Sequence, residues 1–215
     1  MRLKTTIAAA RCEPNFQARE IAVLSCVPLA RWRYWIERNM SEDWLHRLRL
    51  RSDFLRTCDV RSGVNWYGLW EAHIAPTEEA LKAISRNSSV PVFRNVTPAR
   101  FQKIVANAQM RLVFLLAHHP VGKGGIELGN CFMPWVDVRA ALARHQAIAL
   151  VVCDSGEWMG EILEREWPTA AAAGGPYRFP VPQAVEFVKF WIEEIVQGAG
   201  LIAARDRAVS RFYSR

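Results

Sequence analysis

Two apolar runs in this chain end in residues able to do chemistry. In RLVFLLAHH the run breaks into His118-His119, and in IALVVCDSG it breaks into Cys153-Asp154-Ser155-Gly156. A thiol is a useful nucleophile only as its thiolate, which a neighbouring imidazole and the positive end of a following helix both favour. Cys153 is then the nucleophile towards a carbonyl carbon, and His118 the general acid/base that protonates the leaving amine. The negative oxygen that develops needs backbone N–H donors, for which the candidates are those of Cys153 and of the turn after His118. Free cysteines and single histidines are more often core residues than catalysts, so spacing alone does not decide the matter.

The elements that would position this pair can be read from the pattern. Arg111–Ala117 and Ile148–Val152 are apolar without alternation, as expected of strands buried on both faces. Before them, Asn65–His73 and Val90–Val96 read as strands. Pro76-Thr77 followed by EEALKAIS reads as a helix with acids in its first turn. Thr97-Pro98 opens a second helix, ARFQKIVANA, with Thr97 as N-cap and Pro98 at the first helical position. After His119 come a Gly-rich loop, a short strand IEL, a turn GNCFMP and a helix Asp137–His145. Glu157–Glu166 is expected as the helix behind Cys153. Thr169–Gly175 and the Pro-rich segment that follows read as a connection hiding at most one short strand. Gln183–Val196 and Leu201–Phe212 close the chain as helices split at Gly198. Strands alternating with helices imply an α/β fold with a mostly parallel central sheet flanked by helices. The working residues of such a sheet sit beyond the carboxyl ends of its strands.

The 215 residues, 51% hydrophobic, suit one compact domain with a modest extension. The division expected is an extension over 1–63 and a main domain over 64–215. Within the first, Ile21–Leu29 reads as a buried strand and Arg31–Phe54 as an amphipathic helical stretch. The net charge of +7 is uneven: residues 1–63 carry 12 Lys/Arg against 7 Asp/Glu, and residues 64–215 carry 16 against 14. The basic, aromatic N-terminal segment could contact nucleic acid, but an amphipathic helix with its aromatics inward is the preferred reading. Cys12, Cys26, Cys58, Cys131 and Cys153 are odd in number and contain no CxxC, so neither a disulfide framework nor a structural zinc site is indicated. The reducing cytoplasm is the expected compartment. No cofactor, metal or membrane attachment is expected, because the apolar runs are strand-length and the N-terminus lacks a signal-peptide core.

Leu112–Gly156 resembles the caspase-like cysteine peptidases of clan CD, and within them the bacterial CHAT proteases. The matching segments are LVFLLAHH, GGIELGN, WVDVRAAL and IALVVCDSG, with FPVPQAVEFVKFWIEEIVQGAGLIAARDRAV similar to the family's final helices. The resemblance spans about 64–215 and implies a caspase-like three-layer sandwich. It implies His118 as general acid/base and Cys153 as nucleophile. The backbone N–H groups of His119 and Cys153 would form the oxyanion hole, and Asp154, Ser155 and Gly156 would lie against substrate. It further implies a protein substrate, a regulatory partner or activator, and a place in bacterial signalling or antiviral defence. One departure stands out: the family's usual Gly after the catalytic His is His119 here, and His resists backbone geometries that Gly adopts freely. A helix cap is the competing role for Asp154.

Other readings fit less well. AHHPVGKG approaches the phosphate-loop pattern, but Ala117 replaces its first Gly, Gly124 replaces its Ser/Thr, and the segment runs on as strand and turn instead of opening a helix. A metal site from His118, His119 and Asp137 lacks ligand spacing. A catalytically degenerate domain that binds protein or nucleic acid is the main alternative to an enzyme.

Overall fold

The computed structural model describes residues 15–26, 75–117, 124–129, 131–142, 147–152, 170–173 and 181–214. A short 3-10 turn, Ala18–Glu20, leads into β1 (Ile21–Ser25). Then follow α1 (Ala75–Ser88), β2 (Val92–Arg94), α2 (Pro98–Val105) and β3 (Leu112–Ala117). A hairpin of β4 (Gly125–Leu128) and β5 (Cys131–Pro134) precedes α3 (Trp135–Ala141) and β6 (Ala147–Val152). The chain finishes with β7 (Ala170–Ala173), α4 (Val181–Val196) and α5 (Leu201–Tyr213).

The central sheet has the order β2-β1-β3-β6-β7, and every described pair in it is parallel. All of β1 and all of β3 are buried. Both faces of these strands are covered, which is why their sequences run apolar without alternation. Successive side chains serve two separate cores. Ile21, Val23, Leu112, Phe114, Leu116, Ala149 and Val151 pack with α1, α4 and α5. Ala22, Leu24, Val113, Leu115, Ile148 and Leu150 pack with α2, α3 and the hairpin. Each full burial of a Leu, Ile, Val or Phe contributes about 1.5–3 kcal/mol before chain entropy is charged against it.

The helices form where their local signals and their buried stripes agree. In α1 the inward positions are Thr77, Leu81, Ile84 and Ser88, a spacing of three and four that keeps one face on the sheet. Ser89, at φ 54°, ends that helix in the left-handed region and turns the chain into β2. Thr97 caps α2: its Oγ1 accepts from Arg100 N at 3.4 Å, Pro98 takes the first turn, and Phe101, Ile104 and Val105 face inward. Trp191 of α4 is wholly buried, meets Phe114 of β3 edge-on at 5.2 Å, and donates from Nε1 to the Leu201 carbonyl at 2.8 Å. That bond ties α4 to α5 across their connection. Gly198, at φ 96°, makes the connection possible, with Ala199 N donating to Glu194 O at 3.1 Å and Gly198 N to Ile195 O at 2.9 Å. This is a Schellman ending, in which the left-handed residue is best a glycine.

The strand expected over 21–29 is present as Ile21–Ser25, and it is not peripheral. It lies between β2 and β3, with Val23 opposite both Val92 and Phe114. The stretch 1–63 thus supplies an interior strand to the sheet built by the later residues. Three other expectations shift. The turn read at GNCFMP is a strand, Cys131–Pro134, pairing antiparallel with β4. The helix read from Asp137 begins at Trp135, immediately after Pro134. The short strand suspected near 169–175 is β7, parallel to β6. The strand expected at 65–73, the helical stretch expected at 31–54 and the helix expected at 157–166 lie outside the described residues.

Candidate functional site

The sheet has one topological switch. From β1 the chain moves outward to β2, then returns across β1 to β3 and continues outward through β6 to β7. The leftward step carries α1 on one face and the rightward steps carry α2 and α3 on the other, as the membership of the two cores shows. Open parallel sheets bind ligands beyond the carboxyl ends of the strands at such a switch, which here are those of β1 and β3.

What delivers the chemistry-bearing residues is the pairing of β3 with β6. Their register runs from Leu112↔Ala147 to Ala117↔Val152, so the two strands end side by side. The next residues in the chain are His118 and Cys153. The candidate residues His118, His119, Cys153, Asp154, Ser155 and Gly156 all lie outside the described residues. The described structure thus supplies the platform: two adjacent, paired strand ends at the carboxyl edge of the sheet.

The third strand at this edge is β1. Its ladder extends one residue past the strand, with Cys26 N donating to Leu116 O at 2.8 Å, while Val96 N donates to Ser25 O at 3.3 Å. Cys26 is buried, and that burial pushes its thiol well above the ordinary range. It is a packing residue of the second core, protonated at neutral pH. Cys131, on β5, is exposed.

Ser25 and Thr77 are not among the residues that the sequence marks out for chemistry, Thr77 reading only as part of a helix start. Ser25 Oγ and Thr77 Oγ1 are buried and have no hydrogen-bond partner among the described residues. Both stand at the carboxyl end of the first core. Ser25 closes β1 in the phase of Ile21 and Val23, and Thr77 lies in the first turn of α1, on the stripe of Leu81 and Ile84. An unsatisfied buried hydroxyl costs about 1–3 kcal/mol, so two at one end of a sheet form a polar feature in a region otherwise optimised for packing. A serine ending an otherwise apolar run, IAVLS, was the available signal.

After β3 the chain forms the β4–β5 hairpin. Gly125 is obligatory there, since a Cβ at that position would collide with the Met133 carbonyl and come within 2.8 Å of Pro134 Cα. The base of the hairpin is closed by Trp135 N donating to Gly124 O at 3.0 Å. Phe132 and Val136 are exposed beside it.

Among the described residues no group of three or more His, Cys, Asp or Glu side chains is arranged to hold a metal ion, and no helix is long and apolar enough to cross a membrane. No protein-family model matches the chain, and no curated protein matches it.

Proposed function

We propose that the protein is a cysteine endopeptidase on a caspase-like, CHAT-type three-layer sandwich, with Cys153 as nucleophile and His118 as general acid/base. The observation that carries this reading is the register of β3 with β6, which sets Ala117 opposite Val152 one peptide bond before each of the two residues. Beyond paired parallel strand ends, a ~4.8 Å strand spacing and ~3.8 Å per Cα step keep the next two Cα atoms within about 12 Å even if the chains diverge. Phase agrees as well. Leu116 and Val151 both face the first core, the phase that an extended continuation of each strand would give to positions 118 and 153.

In this mechanism the Cys153 thiolate adds to the scissile carbonyl carbon, and the oxyanion is met by the backbone N–H groups of Cys153 and His119. Collapse breaks the C–N bond as His118 protonates the amine. Water, deprotonated by His118, then hydrolyses the thioester and restores the thiol. Asp154, Ser155 and Gly156 line the substrate side, and no cofactor enters the chemistry. The substrate is a protein, and a regulatory partner controls access in a cytoplasmic signalling or antiviral defence system.

The test is labelling by a peptide bearing a thiol-reactive warhead, read by peptide mapping in a Cys131→Ser background that removes an exposed competitor. Adduct should form at Cys153, vanish in Cys153→Ala, and form slowly with an altered pH profile in His118→Ala, with circular dichroism unchanged. Equal labelling of the Cys153→Ala protein, or a His118→Ala rate and pH profile identical to the parent, would sink the dyad. The second reading, a non-cleaving domain that binds a partner, is favoured by one observation: Arg100 and Lys103 are exposed beside an apolar groove and have no ion pair among the described residues.

A further inference from the structure

Residues 80–126 contain seven Lys/Arg and not one Asp or Glu, so the cationic excess is not confined to the N-terminal segment. The fold neutralises some of these charges from elsewhere. Arg86 pairs with Glu79 at 2.6 Å, and Arg111 reaches Glu20, 91 residues away in sequence, at 3.1 Å. Arg94, Arg100 and Lys103 have no ion pair among the described residues. They gather where the short strand β2 meets α2.

Between these two elements runs a groove of about 370 Å³ lined by Phe93, Arg100, Lys103, Ile104, Asn107 and Met110. Ile104 and Met110 are almost fully buried and make an apolar floor, Phe93 makes a half-buried wall, and Arg100 and Lys103 stand exposed on the rim. Arg100 is held in place: its guanidinium donates to the Arg94 carbonyl at 2.8 Å and lies 5.9 Å from the centroid of the Phe93 ring. β2 is the end strand of the described sheet.

We propose that this groove docks an acidic peptide segment of a partner protein, one apolar side chain seated on Ile104 and Met110 and flanking carboxylates meeting Arg100 and Lys103. Two features choose the peptide. The lining is mainly apolar, which suits an inserted side chain, and charge complementarity selects an acidic flank. A nucleic-acid strand needs an open aromatic face for its bases, whereas the Phe93 face is taken by the Arg100 guanidinium. The site stands on its own residues and does not depend on the dyad.

The experiment is fluorescence anisotropy at low and moderate salt, using the full chain. The probe is a short fluorescein-labelled peptide with one phenylalanine between runs of glutamate. Binding should weaken at least about tenfold in the Arg100→Gln/Lys103→Gln double variant, and again when the probe's phenylalanine is replaced by alanine. Lys82→Gln, on α1 across the sheet, removes one exposed charge remote from the groove and should leave binding within about twofold, as expected for screened distant charges. The proposal is overturned if the alanine probe binds as well as the phenylalanine probe, if Lys82→Gln costs as much as the double variant, or if a labelled oligothymidylate binds more tightly than the peptide and loses affinity in the same variant.

Discussion

Removing residues 1–63 tests whether they are an appendage or part of the sheet. The deletion takes out β1, whose Ile21, Ala22, Val23 and Leu24 are all completely buried and contribute to both cores. Three large side chains at about 2 kcal/mol each come to roughly 6 kcal/mol of lost burial. The loss also exposes one edge each of β2 and β3, because β1 pairs with β2 over three residues and with β3 over five. Domains of this size are stable by about 5–15 kcal/mol, so the fragment 64–215 should lack a cooperative fold. Near-ultraviolet circular dichroism and thermal melting should show no sharp transition, with native-like signal only in the full chain. A milder probe keeps the argument open to refutation: Val23→Ala in the full chain should cost about 1–3 kcal/mol in urea unfolding with an unchanged slope. If the 64–215 fragment melts cooperatively near the temperature of the full protein, or Val23→Ala is neutral, β1 is not the interior strand described above.

Cys26 should resist alkylation in the native protein and react only through global opening, at least about 10³-fold slower than exposed Cys131 by mass-spectrometric mapping; comparable rates would contradict its burial. Gly125→Ala should destabilise by about 2 kcal/mol or more, since its new Cβ meets the backbone of the opposite strand, and should perturb the Phe132–Trp135 region in heteronuclear spectra; a neutral result would mean the hairpin lies differently. Glu20 has its carboxyl held below the ordinary 4.5, first by the Gln17 backbone N–H and then by Arg111. The stability this adds is present above pH 4.5 and is lost as pH falls through the depressed folded value. Glu20→Gln should therefore cost up to about 1 kcal/mol at pH 7, with the difference from the parent closing in acid; a gap that widens below pH 4 would reverse the assignment.

Much of the fold is legible in the order of residues because two physical signals are local. β1, β3 and β6 declare themselves as unbroken apolar runs, and α1, α2, α4 and α5 as stripes with starts at Thr97-Pro98 and a stop at Gly198. Where the signal weakens, so does the reading. Ala170–Ala173 has little strand preference of its own and becomes a strand by pairing with β6. Cys131–Pro134 looks like a turn until β4 lies against it.

By itself the sequence determined the α/β alternation, the apolar runs that end at His118 and Cys153, and the absence of acids over residues 80–126. Only the tertiary structure decided which runs are neighbours. Strand pairing is a contact between distant segments, and nothing within IAVLS specifies that it will lie between Val92–Arg94 and Leu112–Ala117. The same holds for charge. Arg111 and Arg100 look alike in sequence, but the fold brings Glu20 to the first and leaves Arg100 and Lys103 beside an apolar groove with no ion pair among the described residues. Local pattern sets what each segment can become, and long-range packing sets what it meets.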